Sequence, residues 1–474
     1  MRESSPFDVW RARVGFALAP AASGLILLLG DGSPKNVLAA LFAWTALWWI
    51  TEAIHPAATA LLAVSASIVL GLATPKEAFS ALGNPILFLF VGGFMVADAM
   101  TRHGLGVRFA HKTATLSSGR LGALVATSSA TFLLSMWTSN AAATAIVLPI
   151  ALSVARGVDD KRYAAAMALA VAWGASMGGI ATPVGTPPNL IGMRALHDAG
   201  LSLDFFGWMK VALPIGVVML VSMWFVLAVL FHVRPGLAGP TPPEEPVPWS
   251  RGEVAAATAF LFAVVMWLVP GILDALGHPL GKAWKQRFPE EVVAILAAGI
   301  LFVWPIQRPG EPPRRALMWK DATTIDWGTV LLFGGGILLG DLANKTGLAA
   351  SWGDSLVAVT GVSSTWAVVA LVTAVSLVLS ELASNTAAAT LMVPVALALA
   401  QATGAPPLPA VLGATIGASF GFMMPISTAP NAMAYATGAV TMRQMMVTGI
   451  VFDVVGFVVV VAALRVLCPL FGLT

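Results

Sequence analysis

The chain has 474 residues, of which 58% are hydrophobic and only 10% are charged, and its formal net charge is +3. A soluble protein of this composition could not present a solvated surface, so the sequence predicts an all-α polytopic membrane protein. The few basic residues lie in short connecting segments and give no support for nucleic acid as a partner. The single cysteine, Cys468, excludes an intramolecular disulfide and a cysteine metal cluster.

Apolar runs of the ~20 residues needed to cross a bilayer recur along the whole chain. The first follows Arg2, Arg11 and Arg13, and no small-residue cleavage site comes after it, so we expect a retained span. The predicted simple spans lie near 14–30, 36–50, 56–73, 84–101, 209–231, 253–271, 292–306, 326–344 and 445–467.

Four other apolar stretches are interrupted. Residues 121–155 and 364–400 are too long for one span and carry a polar Ser-Asn pair at their centre, which predicts two half-length helices meeting at a polar turn. Proline and glycine clusters break 162–195 and 408–438, which is typical of discontinuous helices.

Basic residues orient the predicted spans. Segments 102–120, 154–162 and 308–320 are the clearest basic loops, and they should be cytoplasmic. Counting from a cytoplasmic N-terminus places all three inside and the C-terminus outside, provided that each hairpin enters and leaves on one side. We expect a multi-pass protein of the inner (plasma) membrane, with the Pro-rich segment 236–252 as a cytoplasmic linker.

The interrupted stretches are duplicated. Residues 136–150 and 381–395 align a polar triplet, a small-residue run, a threonine and a proline, and each copy is followed by a second matching segment, at 183–189 and 425–431. An odd number of predicted crossings separates the copies, so the sequence predicts inverted repeats. Inverted repeats with broken helices at matching positions are typical of secondary transporters that bind their substrate near the bilayer midplane.

These four polar segments are predicted to form one binding site. Exposed carbonyls with Ser and Asn oxygens suit a desolvated alkali cation, whereas helix N-termini with Asn and Thr donors suit a carboxylate or oxyanion. None of the four segments contains Arg or Lys. An anion held there would be bound by dipoles, hydroxyls, amides and bound cations. Its affinity would therefore depend on the cations, and this coupling between the two ligands is the basis of symport.

The chain resembles the divalent anion/sodium symporters, which include dicarboxylate, citrate and sulfate carriers. The resemblance rests on both triplets, both Thr-Pro-Pro-Asn-like loops and the Trp-Trp-Ile-Thr-Glu-Ala-Ile stretch at 48–54, and it covers essentially the whole chain. It implies a homodimer in lipid, with about eleven transmembrane helices plus two re-entrant hairpins in each subunit, a scaffold domain and an elevator-type transport domain. The implied division is 1–120 (scaffold), 121–235 (first hairpin and broken helix, transport domain), 236–252 (linker), 253–345 (second-half scaffold) and 346–474 (second hairpin, broken helix and last span, transport domain).

The resemblance also implies ligand sets by position. The first sodium site would comprise Ser135, Ser139, Asn140 and the backbone of Gly185, and the second would comprise Ser380, Ala383, Asn385 and the backbone of Ser427. The anion site would comprise Asn140, Ala141, Thr186, Pro188, Asn385, Thr386 and Thr428.

Two residues depart from the family pattern and bear on the substrate. The first triplet ends in Ala141 where the family has Thr, which removes a hydroxyl worth roughly 1.5–3 kcal/mol in a hydrogen bond to a charged group. The second loop has Ala429 where the family usually has Pro.

The predicted function is sodium-coupled import of a divalent anion, a C4-dicarboxylate such as succinate, malate or fumarate, with Na⁺ co-transported and no organic cofactor. The alternatives are symport of sulfate or another small oxyanion, which Ala141 mildly favours, and dicarboxylate exchange or proton coupling.

An intramembrane enzyme would need a catalytic constellation. Asp98 and Asp341 are its remote candidates, and we expect them instead to cap helix ends near Arg102 and Lys345. A channel would need charge rings or a carbonyl filter, which are not visible. Thr144 and Thr390 are expected to bond back to helix carbonyls.

Overall fold

The computed structural model describes residues 6–114, 119–158, 160–201, 203–233, 236, 248–307 and 312–473. Parts of the predicted basic loops 102–120 and 308–320, and most of the predicted linker 236–252, lie outside the described residues.

The described residues of the first half of the chain form eleven α-helices. Several of them, including α2, α3 and α5, begin at a proline, which suits the first helical position because its missing N–H has no intrahelical partner there. The helices are α1 (Pro6–Leu29), α2 (Pro34–Thr51), α3 (Pro56–Val69), α4 (Pro75–Ser80), α5 (Pro85–Arg102), α6 (Leu105–Ala114), α7 (Gly119–Ser135), α8 (Asn140–Arg156), α9 (Lys161–Ile180), α10 (Pro187–Asp198) and α11 (Phe205–Leu230), with a 3-10 turn at Ala81–Gly83 after α4.

In the described residues, the second half has eleven further helices and one small antiparallel ribbon, in which Pro305 pairs with Arg315. Its elements are α12 (Arg251–Ala275), α13 (Pro279–Arg287), α14 (Glu290–Val303), β1 (Pro305–Ile306), β2 (Arg314–Arg315), α15 (Trp319–Ala322), α16 (Trp327–Thr346), α17 (Leu348–Thr360), α18 (Thr365–Leu382), α19 (Asn385–Thr403), α20 (Pro407–Gly417), α21 (Ala429–Ala436) and α22 (Met442–Leu470).

The prediction of a polytopic helical membrane protein is confirmed. Nine helices in the described part of the chain are long and apolar enough to cross a bilayer, and α3, α8 and α20 are shorter apolar helices. Two predicted boundaries were wrong, because the span placed at 56–73 ends at Val69, and the span placed at 292–306 ends at Val303, where the chain leaves the helix to form β1.

The interrupted stretches fold as helix pairs. Residues 136–139 separate α7 from α8, and residues 383–384 separate α18 from α19, where Ser139 and Ser384 cap the second helix of each pair. The two predicted broken helices are α9 with α10 and α20 with α21.

The packing joins the two halves around these interrupted elements. Helix α7 packs on α9, α18 on α20, α11 on α22, and α10 on both α19 and α20. In a second group, α1 packs on α2, α3 on α16, and α5 on α14. Helix α9 is the most buried of the nine long apolar helices, with 94% of the residues in its most apolar stretch buried. Its many alanines let neighbouring helices approach closely.

Candidate functional site

The N-termini of α8, α10, α19 and α21 meet at one open cavity of about 440 Å³. The first N–H groups of an α-helix have no intrahelical acceptor, and together they carry a partial positive charge. Prolines have no backbone N–H, so Pro187, Pro188 and Pro430 leave fewer amide donors at the starts of α10 and α21. Helices α8 and α19 have no proline in their first turn and keep these donors. The cavity walls from these four elements are Ser139, Asn140, Ala141, Ala142, Gly185, Thr186, Pro187, Ser384, Asn385, Thr386, Ser427, Thr428, Ala429 and Pro430.

At the first hairpin, Ser135 and Asn140 lie against the break in α9–α10. The Ser135 hydroxyl donates to Asn140 Oδ1 over 2.7 Å, and the amide of Ala142 donates to Ser139 Oγ over 3.2 Å. A methyl group added at Gly179 would overlap Asn140 Oδ1, so only glycine leaves room for that carbonyl oxygen. The result is a compact set of uncharged oxygens at the hairpin tip.

The second hairpin repeats this arrangement. The Ser380 hydroxyl lies 2.8 Å from Asn385 Oδ1 and 2.8 Å from the carbonyl oxygen of Ala418. A methyl group at Gly421 would lie 3.3 Å from the carbonyl oxygen of Ser380, which is again a tight approach between the hairpin and the broken helix. Corresponding positions of the two halves therefore make corresponding contacts.

Two asparagines hold the broken helices together. Asn189 Nδ2 donates to the carbonyl oxygens of Gly179 (2.8 Å) and Thr182 (2.7 Å). Asn431 Nδ2 donates in the same way to Gly421 (2.8 Å) and Met424 (3.1 Å). These bonds satisfy carbonyls that the breaks release from the helical ladder, which allows irregular backbone inside an apolar protein.

The structure brings most of the predicted site residues to the cavity. Residues on its surface are Ser139, Asn140, Ala141, Gly185, Thr186, Asn385, Thr386, Ser427 and Thr428. Ser135, Ser380 and Ala383 are buried and do not line it. Pro188 is also buried, and Pro187 lines the cavity in its place, because neighbouring residues of a helix point about 100° apart.

Sequence reasoning missed the opposite wall, which α5 and α16 supply. It consists of Phe94, Ala97, Asp98, Thr101, Ile325, Asp326 and Thr329. The sequence analysis named Asp98, but as a helix-end acid near Arg102 and not as part of this wall, because only the packing of α5 and α16 brings these residues to the cavity. Asp98 and Asp326 are the only charged residues on the described lining, which contains no Arg or Lys.

The predicted contacts of Thr144, Thr390 and Asp98 are confirmed. The hydroxyls of Thr144 and Thr390 donate to the carbonyls of Asn140 and Thr386, each over 2.8 Å, as predicted. Asp98 pairs with Arg102, also as predicted.

The acids of the predicted repeat do not behave alike. Lys345 pairs with Glu77 and not with Asp341. Asp98 and Asp341 line different cavities, so they do not form the paired acids of an intramembrane enzyme.

A closer pair of acids was missed. Glu381 and Asp453 are both buried, and their carboxyl groups lie together behind the second hairpin. The signal was available in the sequence, because an acidic residue inside an apolar span is a functional candidate by default.

A multi-pass helical chain whose hairpins and broken helices line one polar cavity without Arg or Lys on its described wall belongs to the class of membrane transporters. The family described as the sodium:sulfate symporter transmembrane region matches residues 14–472. The chain belongs to that family, and the predicted resemblance to the divalent anion/sodium symporters is confirmed.

Curated relatives agree. The sodium-dependent dicarboxylate transporter SdcS of Staphylococcus saprophyticus is 31% identical over 496 residues, covering 99% of this chain and 93% of the relative. SdcS of Staphylococcus aureus is 31% identical over 502 residues, with the same coverage of both chains. The protein is therefore a sodium-coupled transporter of the membrane and not an enzyme.

Two solved structures are similar in fold. The YdaH transporter of Alcanivorax borkumensis has a TM-score of 0.56 at 12% identity and is covered over 98% of each chain. MtrF of Neisseria gonorrhoeae has a TM-score of 0.56 at 13% identity, with 93% of this chain and 96% of MtrF covered.

Proposed function

We propose that the protein imports a C4-dicarboxylate together with sodium ions across the inner (plasma) membrane, by an elevator-type alternation between two states. The observation that carries this proposal is the meeting of four helix N-termini at a cavity whose described lining contains no Arg or Lys. Such a cavity attracts an anion through amides and dipoles alone, so bound cations must supply the remaining charge compensation.

A dicarboxylate fits this arrangement better than a small oxyanion does. Its two charged ends need two groups of donors, and the amides and side chains around Asn140 and Asn385 lie on the same cavity at two separate hairpin tips. The cavity of about 440 Å³ also offers more room than one small oxyanion fills. The names of the SdcS relatives support the same substrate class.

The proposed anion ligands are Asn140, Ala141, Thr186, Asn385, Thr386 and Thr428, with Pro187 taking the position expected for Pro188. The proposed sodium ligands are those of the two oxygen clusters. Ser135 with Asn140, and Ser380 with Asn385, supply hydroxyl and amide oxygens next to backbone that glycine keeps open. Uncharged oxygens in a compact group suit an alkali cation stripped of water.

The charge near one wall of the cavity supports an inward-facing state. That wall includes Asp98, which pairs with Arg102, and the 325–329 segment that follows Arg314, Arg315 and Lys320. Basic residues next to this wall favour a cytoplasmic position for it. In the proposed elevator, the hairpins and broken helices move against α5 and α16 and carry the site to the other side. The homodimer implied by the resemblance would hold those scaffold helices in place.

The second candidate is sulfate symport, which the absence of a hydroxyl at Ala141 favours. Purified protein in proteoliposomes would be given labelled succinate, malate, citrate or sulfate, with and without an inward sodium gradient. We expect sodium-dependent succinate uptake that unlabelled malate and fumarate inhibit and sulfate does not. Uptake of sulfate alone would support the second candidate, and uptake that persists without sodium would contradict symport.

A further inference from the structure

Two buried carboxyl groups lie together behind Ser427, a residue of the cavity wall. Glu381 is 5% exposed and stands near the end of α18, while Asp453 is 4% exposed and stands inside α22. Neither residue lines the proposed anion cavity.

The hydrogen bonding of the two groups is unequal. Glu381 accepts from the amides of Met423 (2.9 Å) and Met424 (3.2 Å) and from the hydroxyl of Ser427 (2.6 Å). Asp453 has both carboxylate oxygens buried with no hydrogen bond of good geometry, and the Glu381 carboxyl and the backbone amide of Phe422 lie beside them. Among the ion pairs of the described residues, neither group takes part in one.

Close backbone packing brings Asp453 to this position. A methyl group added at Gly449 would lie 2.5 Å from both Met423 Cα and the Phe422 carbonyl oxygen, so α22 rests directly on the loop whose amides bind Glu381. Asp453 follows Gly449 by about one helical turn and so lies on the same face of α22. The carboxyl pair is therefore built by the fold.

Two carboxylates side by side in an apolar interior carry a large desolvation cost that amide donors to one of them do not offset. A cation between them would satisfy the unpartnered Asp453 oxygens and remove the repulsion. Carboxylate and hydroxyl oxygens are the ligands that hard cations prefer. The first half has no counterpart, because Met136 occupies the position of Glu381 there.

We propose that Glu381, Asp453 and the Ser427 hydroxyl bind a sodium ion, as a cation site additional to the two at the hairpin tips. That this ion is transported rests on the proposed function. A dianion with two sodium ions would be electrically neutral, so an additional cation would make each cycle carry net positive charge. Helix α22 packs on α18 and α20, so the ion would move with the second hairpin.

Two measurements test the site, with the full-length protein throughout. In the first, equilibrium binding of radioactive sodium to protein in nanodiscs, without anion, is compared between wild type, Asp453→Asn and the exposed control Asp354→Asn. We expect Asp453→Asn to bind one sodium ion fewer per chain and the control to match wild type. Asp453→Asn should also raise the melting temperature in sodium-free buffer, because it removes an unpaired buried charge.

In the second measurement, proteoliposome currents are recorded during sodium-driven succinate uptake. Wild type should carry net positive charge inward, and Asp453→Asn should lose most of that current per succinate taken up. If Asp453→Asn does not fold, Glu381→Gln removes the other carboxylate and should lose the same sodium ion.

Unchanged sodium binding in both variants would overturn the site and would show that a proton, and not a metal ion, compensates the pair. A wild-type protein that binds sodium but does not take up succinate would contradict the proposed function alone, and the binding comparison would still decide the additional site.

Discussion

Gly185→Ala is expected to damage the first proposed sodium site while leaving the second intact. Gly185 stands in the break between α9 and α10, and its carbonyl is a proposed sodium ligand. A methyl group added there would lie 2.5 Å from the carbonyl oxygen of Gly179 and 3.0 Å from Gly179 Cα, whereas ordinary contacts begin at 3.4 Å. The neighbouring atoms are backbone atoms of a packed helix and cannot rotate away.

The loop carrying Gly185 must therefore shift by about 1 Å, as judged from the 2.5 Å approach. Such a shift also strains the bond from Asn189 to the Gly179 carbonyl, which is 2.8 Å long. The loss of one well-placed polar contact to a charged group weakens binding of that group by roughly 1.5–3 kcal/mol. This cost corresponds to a roughly ten- to hundred-fold rise in the sodium concentration for half-maximal uptake.

The assay is succinate uptake into proteoliposomes as a function of external sodium, together with the sodium-induced rise in melting temperature. Gly299→Ala is the matched control, because a methyl group there meets nothing within 4 Å on α14. It should leave the sodium dependence unchanged. A Gly185→Ala protein with a wild-type sodium midpoint would refute the assignment of this loop to a cation site.

Three further outcomes are expected. Ala141→Thr places a hydroxyl on the cavity surface and should change the ratio of succinate to sulfate uptake by up to roughly a hundred-fold. The control Ala145→Thr, at an exposed position, should leave the ratio unchanged. An unchanged ratio in Ala141→Thr would show that this hydroxyl does not determine selectivity. Asn385→Ala deletes an oxygen shared by the second cation cluster and the cavity, so the half-saturating concentrations of sodium and succinate should rise together, and a change in only one would separate the two roles. Glu253→Gln weakens the ion pair in which Arg108 Nε lies 2.7 Å from the Glu253 carboxylate. It should lower the free energy of unfolding by about 1–3 kcal/mol, and with it the melting temperature, while the sodium dependence of uptake stays unchanged.

Local sequence was sufficient for the elements that carry the site. Polar triplets at Asn140 and Asn385, at the centre of apolar runs too long for one span, predicted helix breaks, and the structure has them. The absence of Arg and Lys from the four polar segments was equally visible, and it persists on the described lining of the cavity. The repeated order of these segments predicted the transporter class, and the family match agrees.

The sequence did not predict features that depend on the residue at which a helix begins or ends. Pro187, and not Pro188, lines the cavity because the first turn of α10 begins at that residue, and one position rotates a side chain by about 100°. The end of α14 at Val303 likewise depends on β1 pairing with a strand that comes later in the chain.

The tertiary structure alone decided which distant residues meet. Asp98 and Asp326 face the hairpins because α5 and α16 pack across from them, and Asp453 reaches Glu381 because Gly449 lets α22 rest on the loop at Met423. Composition and periodicity describe how each segment satisfies its own backbone and its lipid surroundings. Contacts between segments depend on how complete helices fit together, and that fit is a property of the packed molecule, which no stretch of sequence holds by itself.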